Sequence, residues 1–230
     1  TYIQRYANKA NRMSIDIPEH RDTLSMVAKN CRNLISRPAQ HYWEALQSIW
    51  FLFVILQMES NASSFSPGRM DQYLYPYYKQ DLRDDILNQE QALGLMECLW
   101  LKFNQIVYMR NRNSAKYFAG FPIGFNIALG GKDEAGNDTA NEVSFICLKA
   151  QEEIGLPQPN LSVRLHTNSP HEFMQKAIEV VAKGSGMPQF FNDEAVIEPF
   201  QRDLGISKED AYNYAIVGCV ELTTSGNTLG

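Results

Sequence analysis

The sequence has no long hydrophobic run, no clustered cysteines and no excess of basic charge. Each absence removes a class of function. Its longest apolar stretch, Ile49 to Met58, is interrupted by Gln57 and falls well short of the roughly 20 residues a helix needs to cross a bilayer. No membrane partner is therefore expected. The opening residues Thr1-Tyr2-Ile3-Gln4-Arg5 are polar and do not read as a secretion signal. Cys31, Cys98, Cys147 and Cys219 are widely spaced and form no CxxC pair. That argues against a zinc site or a disulfide framework and fits a reducing cytoplasm. Lys and Arg number 21 against 26 Asp and Glu, giving a net charge of −5. Without a basic cluster, the chain lacks the electrostatic footprint of a nucleic-acid binder. It also has no fixed-period repeat and no low-complexity or linker-like segment, so residues 1–230 are expected to form one domain. The sequence does not begin with Met and stops inside Thr223-Thr224-Ser225-Gly226-Asn227-Thr228-Leu229-Gly230. That stretch reads as a loop leading to another element, and the chain is expected to be a fragment of a longer one.

What is present divides into two halves. The first reads as helical. Leu24, Val27, Cys31, Leu34 and Ile35 recur at helical spacing until Pro38 ends the run. Tyr42 to Met58 is apolar almost all round and is expected to be a buried helix. Ser66-Pro67-Gly68 is a break, Met70 to Tyr78 a short aromatic-rich helix or turn, and Leu87 to Tyr108 a long helix. The second half alternates strands with helices: strand-like Phe121 to Leu129 ending at Gly130-Gly131, Leu161 to His166, Gln189 to Phe191, and Ala215 to Val217 running into Gly218-Cys219. Helices fall between them. Thr139 to Glu142 and Ser169 to Glu172 read as capping boxes, and Ser207 as a cap. This alternation implies an α/β fold with a parallel sheet and helices outside it.

Gly218-Cys219-Val220-Glu221 is the sharpest chemical feature. In extended chain, residues i and i+2 point to the same side. Cys219 and Glu221 are thus expected to face one cavity at the mouth of the sheet, where α/β proteins bind ligands. A buried structural cysteine beside a loop glutamate accounts for those four residues more simply. Two further points shift the weighting. The loop after Glu221 is rich in Thr, Ser, Gly and Asn and is free to line a pocket. No His or Lys lies near Cys219 in sequence to lower its thiol pKa, and a neighbouring carboxylate disfavours thiolate. A carboxylate beside a neutral thiol suits one-electron sulfur chemistry with proton transfer.

Five segments, in order, then resemble one family: Met58 to Tyr73, Asn141 to Ser144, Pro157 to Arg164, Gly186 to Glu194, and Tyr214 to Glu221. The run is similar to the glycyl radical enzymes, the pyruvate formate-lyase-like group, and within it to the dehydratase and lyase branch. The resemblance implies half of a ten-stranded α/β barrel, with the helical N-terminal half packed outside it. It implies that Cys219, on a loop projecting into the barrel, becomes a thiyl radical and abstracts hydrogen from a small polar substrate under anaerobic conditions. Glu221 would act as general base. No cofactor would be bound within these residues. The radical would start on a glycine outside them, installed by an activating enzyme with an iron–sulfur cluster and S-adenosylmethionine. Homodimerisation is usual in the family.

The subgroup turns on a few positions. Pyruvate formate-lyase has two adjacent cysteines, whereas Gly218 precedes Cys219 here, so acetyl transfer from pyruvate is disfavoured. Diol dehydratases carry a histidine where this chain has Ser63 within Ala62-Ser63-Ser64. Loss of that imidazole favours a leaving group needing less protonation, such as sulfite or an amine, or a dehydratase with a different acid. The alternatives are a formate C-acetyltransferase-type lyase and a non-catalytic small-molecule binding or scaffold relative. Ser63, Ser64, Phe125 and Asn126 are the candidate substrate-binding residues, although serines in loops often only cap turns and Phe125 suits plain core. Arg69 and Asp71 are expected to form an ion pair or cap, His41 and Trp43 helix packing, and His166 a satisfied polar end to its strand. Cys31, Cys98 and Cys147 are expected to be inert core thiols.

Overall fold

The computed structural model of the protein describes residues 2–60, 64–106, 111–118 and 124–225. Among these, six α-helices precede the first strand: α1 (Tyr2–Asp16), α2 (Arg21–Ser36), α3 (Tyr42–Ser60), α4 (Met70–Arg83), α5 (Gln89–Phe103) and α6 (Arg112–Phe118). Helices α2 to α5 stand where the sequence places helices, but with two changed ends: α4 runs on past Tyr78 to Arg83, and α5 stops at Phe103 with Asn104 as its C-cap, short of the expected Tyr108. The sequence reading has no counterpart to α1 or α6. Helix α1 buries only Ala7, Ala10 and Ser14. Small residues three and four apart let it lie close against α2, and Ile3 and Ala7 pack with Val27, Cys31 and Phe51.

Helix α3 corrects one expectation. It buries Tyr42, Ala45, Leu46, Phe51 and Phe53, but Leu52 is 60% and Met58 71% exposed. An apolar sequence without periodicity does not say which flank its neighbours cover. Its N-terminus is capped from across the bundle: Asp81 of α4 accepts the Tyr42 N–H at 2.7 Å and pairs with His41 Nδ1 at 2.8 Å. No helix among the described residues is long and apolar enough to cross a membrane.

Strands β1 (Asn126–Gly130), β2 (Asn160–Leu165) and β3 (Gln189–Asn192) form a parallel sheet in that order, in register Asn126↔Asn160 and Ser162↔Gln189. Residues 121–123 of the expected first strand lie outside the described residues. Helix α7 (Glu142–Ile154) connects β1 to β2, and α8 (His171–Val180) connects β2 to β3. Because strand side chains alternate, the sheet has two unlike faces. Ile127, Leu129, Leu161 and Val163 join the main core with Leu74, Met96, Trp100, Phe103 and Phe173. Asn126, Ala128, Asn160, Ser162 and Arg164 lie on the other face, and they too are buried. The helical half thus covers the apolar face, and the polar face receives the chain from Tyr214 onward.

After α9 (Asp193–Arg202) and α10 (Lys208–Tyr212), β4 (Tyr214–Val217) does not join the parallel sheet. It pairs antiparallel with β5 (Glu221–Thr224), with Val217 opposite Glu221. The Thr-rich segment after Glu221, expected as a loop, is therefore a strand. The described residues hold an α/β arrangement of three parallel strands and a hairpin, not a closed barrel. Ala128 of β1 packs with Tyr214, Ala215 and Ile216, which seats the hairpin on the polar face.

Two expected caps are rearranged. Asn141, not Thr139, caps α7: its side chain accepts the Val143 N–H at 2.9 Å, and Ser144 Oγ accepts the Asn141 N–H at 3.0 Å. The Thr139 hydroxyl is engaged elsewhere, 3.0 Å from both the Gly130 and Gly131 carbonyls. Ser169 does not cap α8. Its Oγ accepts the His166 N–H at 2.9 Å and closes the preceding turn.

Candidate functional site

The thiol lies at the tip of the β4–β5 hairpin. Gly218, Cys219 and Val220 form the turn, and both Cys219 and Glu221 are exposed. The expected extended geometry is therefore replaced by a tight turn, and a closer relation between the two residues results. Glu221 Oε2 accepts the Cys219 N–H at 2.9 Å and the Val220 N–H at 3.1 Å. These amides, the Val220 N–H foremost, hold the carboxyl below the usual glutamate range. It is thus a carboxylate, able to accept a proton.

Gly218 makes this turn possible. Its φ is +62°, and a Cβ there would lie 2.7 Å from Glu221 Oε2 and 3.1 Å from Ser64 Oγ. Only glycine combines the left-handed backbone with room for the folded-back carboxylate.

The turn is docked on the sheet by backbone contacts. Asn126 Nδ2 donates to the Gly218 carbonyl at 3.1 Å, and Asn160 Nδ2 donates to the same oxygen at 3.4 Å. Ser66 Oγ accepts the Gly218 N–H at 3.2 Å and the Asn126 N–H at 3.0 Å. The segment around Ser66 runs beside β1 like a further strand, with Gly68 bridged in parallel to Ile127. Asn126 and Asn160 are the first residues of β1 and β2. The thiol turn thus lies at the N-terminal ends of the parallel strands, not at their mouth, because the hairpin runs back along the sheet.

The base of the hairpin is fixed by a buried ion pair. Arg164 binds Asp193 in a two-pronged contact, Nε to Oδ1 and Nη2 to Oδ2, both at 2.9 Å. Arg164 also donates to the carbonyls of Tyr214 at 2.9 Å and Tyr212 at 3.0 Å, and lies 3.9 Å from the Tyr214 ring centre. The Tyr214 hydroxyl completes the group by donating to Asp193 Oδ1 at 2.7 Å. Gly131 approaches so closely that a Cβ there would lie 2.6 Å from the guanidinium.

Four of the sequence-predicted residues therefore gather around Gly218: Cys219, Glu221, Ser64 and Asn126. Ser64 takes a φ of +74°. Asn126 Oδ1 is buried and has no partner among the described residues. Phe125 is not brought there. It lies in the main core, against Phe53 at 4.1 Å and Phe103 at 5.8 Å between ring centres, because its side chain falls on the apolar face. Ser63 lies outside the described residues. Sequence reasoning missed Ser66, Asn160 and the Arg164–Asp193 pair; a polar side chain inside an otherwise apolar strand was the available signal for Asn160 and Arg164.

Other expectations are settled nearby. Arg69 and Asp71 form no direct ion pair among the described residues. Arg69 binds Asn213 Oδ1 and Thr139 Oγ1, while Asp71 accepts the Gly130 N–H at 2.8 Å and the Ser144 hydroxyl at 2.7 Å. His166 Nε2 meets Asp138 at 3.0 Å. Cys31 and Cys147 are buried, but Cys98 is exposed; it sits off the Met96, Leu99, Trp100, Phe103 stripe of α5. An apolar cavity of about 820 Å³ lies between α1, α2, α3 and α5, and Cys219 does not line it. Among the described residues no cluster of His, Cys, Asp and Glu could hold a metal ion.

The whole chain, residues 1–230, matches the family described as Pyruvate formate lyase-like. It is 39% identical over 231 residues to a protein named probable dehydratase YbiW from Escherichia coli (strain K12), covering 98% of this chain and 28% of that protein. It is 34% identical to the (2S)-3-sulfopropanediol dehydratase of Klebsiella oxytoca, covering 100% of this chain and 28% of the relative. The fold superposes on the glycerol-bound B12-independent glycerol dehydratase from Clostridium butyricum with a TM-score of 0.93 at 39% identity, over 100% of this chain and 29% of that one. The chain thus spans between a quarter and a third of the length of these proteins. With its full length matched, the chain belongs to the pyruvate formate lyase-like family, in the glycyl radical dehydratase and lyase branch.

Proposed function

We propose that these residues form the thiol-bearing part of a glycyl radical enzyme that cleaves a carbon–heteroatom bond in a small polar substrate without oxygen. The observation that carries the reading is the ring in which the Glu221 carboxylate binds the peptide N–H of Cys219. It joins a one-electron sulfur and a proton acceptor in a single turn.

In this reading the three-stranded sheet is part of a ten-stranded barrel, and the hairpin carries the sulfur along its interior. A glycyl radical on a glycine outside these residues supplies the oxidising equivalent, after activation by a partner with an iron–sulfur cluster and S-adenosylmethionine. The Cys219 sulfur, having lost its hydrogen atom, takes one from the substrate carbon that bears a hydroxyl. Glu221 takes the hydroxyl proton as that carbon becomes a carbonyl. The bond from the adjacent carbon to the leaving group breaks, and the leaving group departs with the electron pair. The Cys219 S–H then returns its hydrogen atom to the product radical, so the sulfur ends as it began.

Ser64 and the free Asn126 Oδ1 are the substrate-facing polar groups of this proposal, with Ser63 beside them in sequence. Serine in place of an imidazole favours a leaving group that departs with little protonation, such as sulfite or an amine. The test is anaerobic activation of the full-length enzyme, followed by a panel of diols, hydroxyproline, isethionate and choline read by mass spectrometry. Carbon–heteroatom cleavage of a panel member, with a glycine-centred doublet in electron paramagnetic resonance, is the expected result. Reaction only with pyruvate and coenzyme A would overturn the subgroup, and absence of the doublet would overturn the radical reading.

A further inference from the structure

Three side chains, Asn126 and Asn160 on the polar face of the sheet and Ser66 on the segment beside β1, hold the residue between β4 and the sulfur. Ser66 Oγ receives the Gly218 N–H, while Asn126 and Asn160 both donate to the Gly218 carbonyl. The next N–H, that of Cys219, is taken by Glu221. The peptide joining Gly218 to Cys219 is therefore held from both sides, by two amides on its oxygen and a carboxylate on its nitrogen. With that plane fixed, the sulfur keeps only the freedom of the Cys219 φ and χ1 rotations.

We propose that Ser66, Asn126 and Asn160 are positioning residues that set where the sulfur stands for hydrogen-atom transfer. The proposal rests on the reading of Cys219 as hydrogen-atom carrier and adds the groups that aim it. The geometry is specific. The Ser66 hydroxyl accepts two backbone N–H groups and has one proton for the nearby carbonyls of Ser64 and Gly124, at 3.4 and 3.5 Å, which fills the capacity of a hydroxyl. It ties three separate chain segments at one atom. The side-chain orientation of Asn126 follows from the same carbonyl: turning the amide over would set oxygen against oxygen. Asn126 and Asn160 are register partners on adjacent strands, so one peptide oxygen reads the alignment of β1 with β2. Hydrogen transfer is short-ranged, and displacement of a reacting atom by about 1 Å costs on the order of 100-fold in rate.

The test uses activated full-length enzyme with Asn160→Asp, which keeps the shape and removes the donor, alongside Ser66→Ala and Ser66→Thr. The readouts are the glycine radical signal, kcat, KM, and the isotope effect on kcat with substrate deuterated at the reacting carbon. The glycine radical signal and KM are expected to match the parent enzyme. The kcat of Asn160→Asp and Ser66→Ala is expected to fall about 10- to 100-fold, in line with a misplaced reacting atom, with a larger isotope effect, while Ser66→Thr recovers most of the loss by restoring the hydroxyl. Unchanged kcat would overturn the assignment. So would a fall in kcat that only tracks lost radical signal, since that places the fault in folding or activation. Failure of the underlying reading looks different: Cys219→Ser would then keep its turnover in the same assay.

Discussion

The Glu221 carboxylate folds back onto the residue it was expected only to stand beside, accepting the Cys219 N–H at 2.9 Å. One oxygen, Oε2, also takes the Val220 N–H at 3.1 Å. A glutamine side chain can accept the same two bonds through its carbonyl oxygen but cannot take a proton. Glu221→Gln is therefore expected to keep the hairpin and lower kcat by about 10²- to 10⁴-fold, the usual contribution of a positioned general base. Steady-state kinetics with the glycine radical quantified beside it checks this.

The same bonds are expected to set the acid limit of activity. The amides of Val220, Glu221 and Cys219 depress the Glu221 carboxyl below its ordinary value of 4.5. For a depressed carboxyl, the bound form is fully present above the ordinary value and is lost as pH falls through the lower folded one. If Glu221 is the base, its protonation shuts turnover down only below the ordinary glutamate range. A kcat/KM profile on the acid side, on enzyme shown by circular dichroism to stay folded, measures this; a limb well above that range would assign the base elsewhere.

Gly218→Ala separates backbone from side-chain effects. Alanine at φ +62° costs about 1–2 kcal/mol, and its Cβ meets Glu221 Oε2 at 2.7 Å. The carboxylate must move, since the backbone on the other side is held by Ser66, Asn126 and Asn160. Turnover is expected to collapse while the thermal melting temperature shifts by only a few degrees.

Asp193→Ala is expected to act through the fold. Arg164 and Asp193 are both fully buried, and removing the acid strands a guanidinium that also holds the Tyr212 and Tyr214 carbonyls. Breaking such a pair costs about 3–5 kcal/mol. Denaturant unfolding should show a loss of that size, and loosening the hairpin base should lower the activity of the molecules that stay folded.

The sequence made much of this legible, for identifiable reasons. Helices α2 and α5 carry apolar residues at helical spacing and β2 alternates, and periodicity survives without any tertiary information; α3 was legible instead from its nearly all-apolar run. Cys219 and Glu221 stood out because two chemically distinctive residues flank a single valine. Their geometry was misjudged because the i, i+2 rule assumes extended chain, and Gly218 turns the chain instead. Ser66 and Asn160 were invisible for another reason: they act on backbone groups 152 and 58 residues away, and a serine or asparagine gives no sign of such a partner. Arg164 and Asp193 are 29 residues apart, and they meet because β2 and β3 pair with Arg164 opposite Phe191 and Leu165 opposite Asn192.

The central claim is that the Cys219 sulfur carries the hydrogen atom. Its most direct test is the turnover of anaerobically activated full-length Cys219→Ala, with the glycine-centred radical quantified in the same sample. The account predicts a radical signal equal to that of the parent enzyme and no product. Product formation by that variant would contradict it.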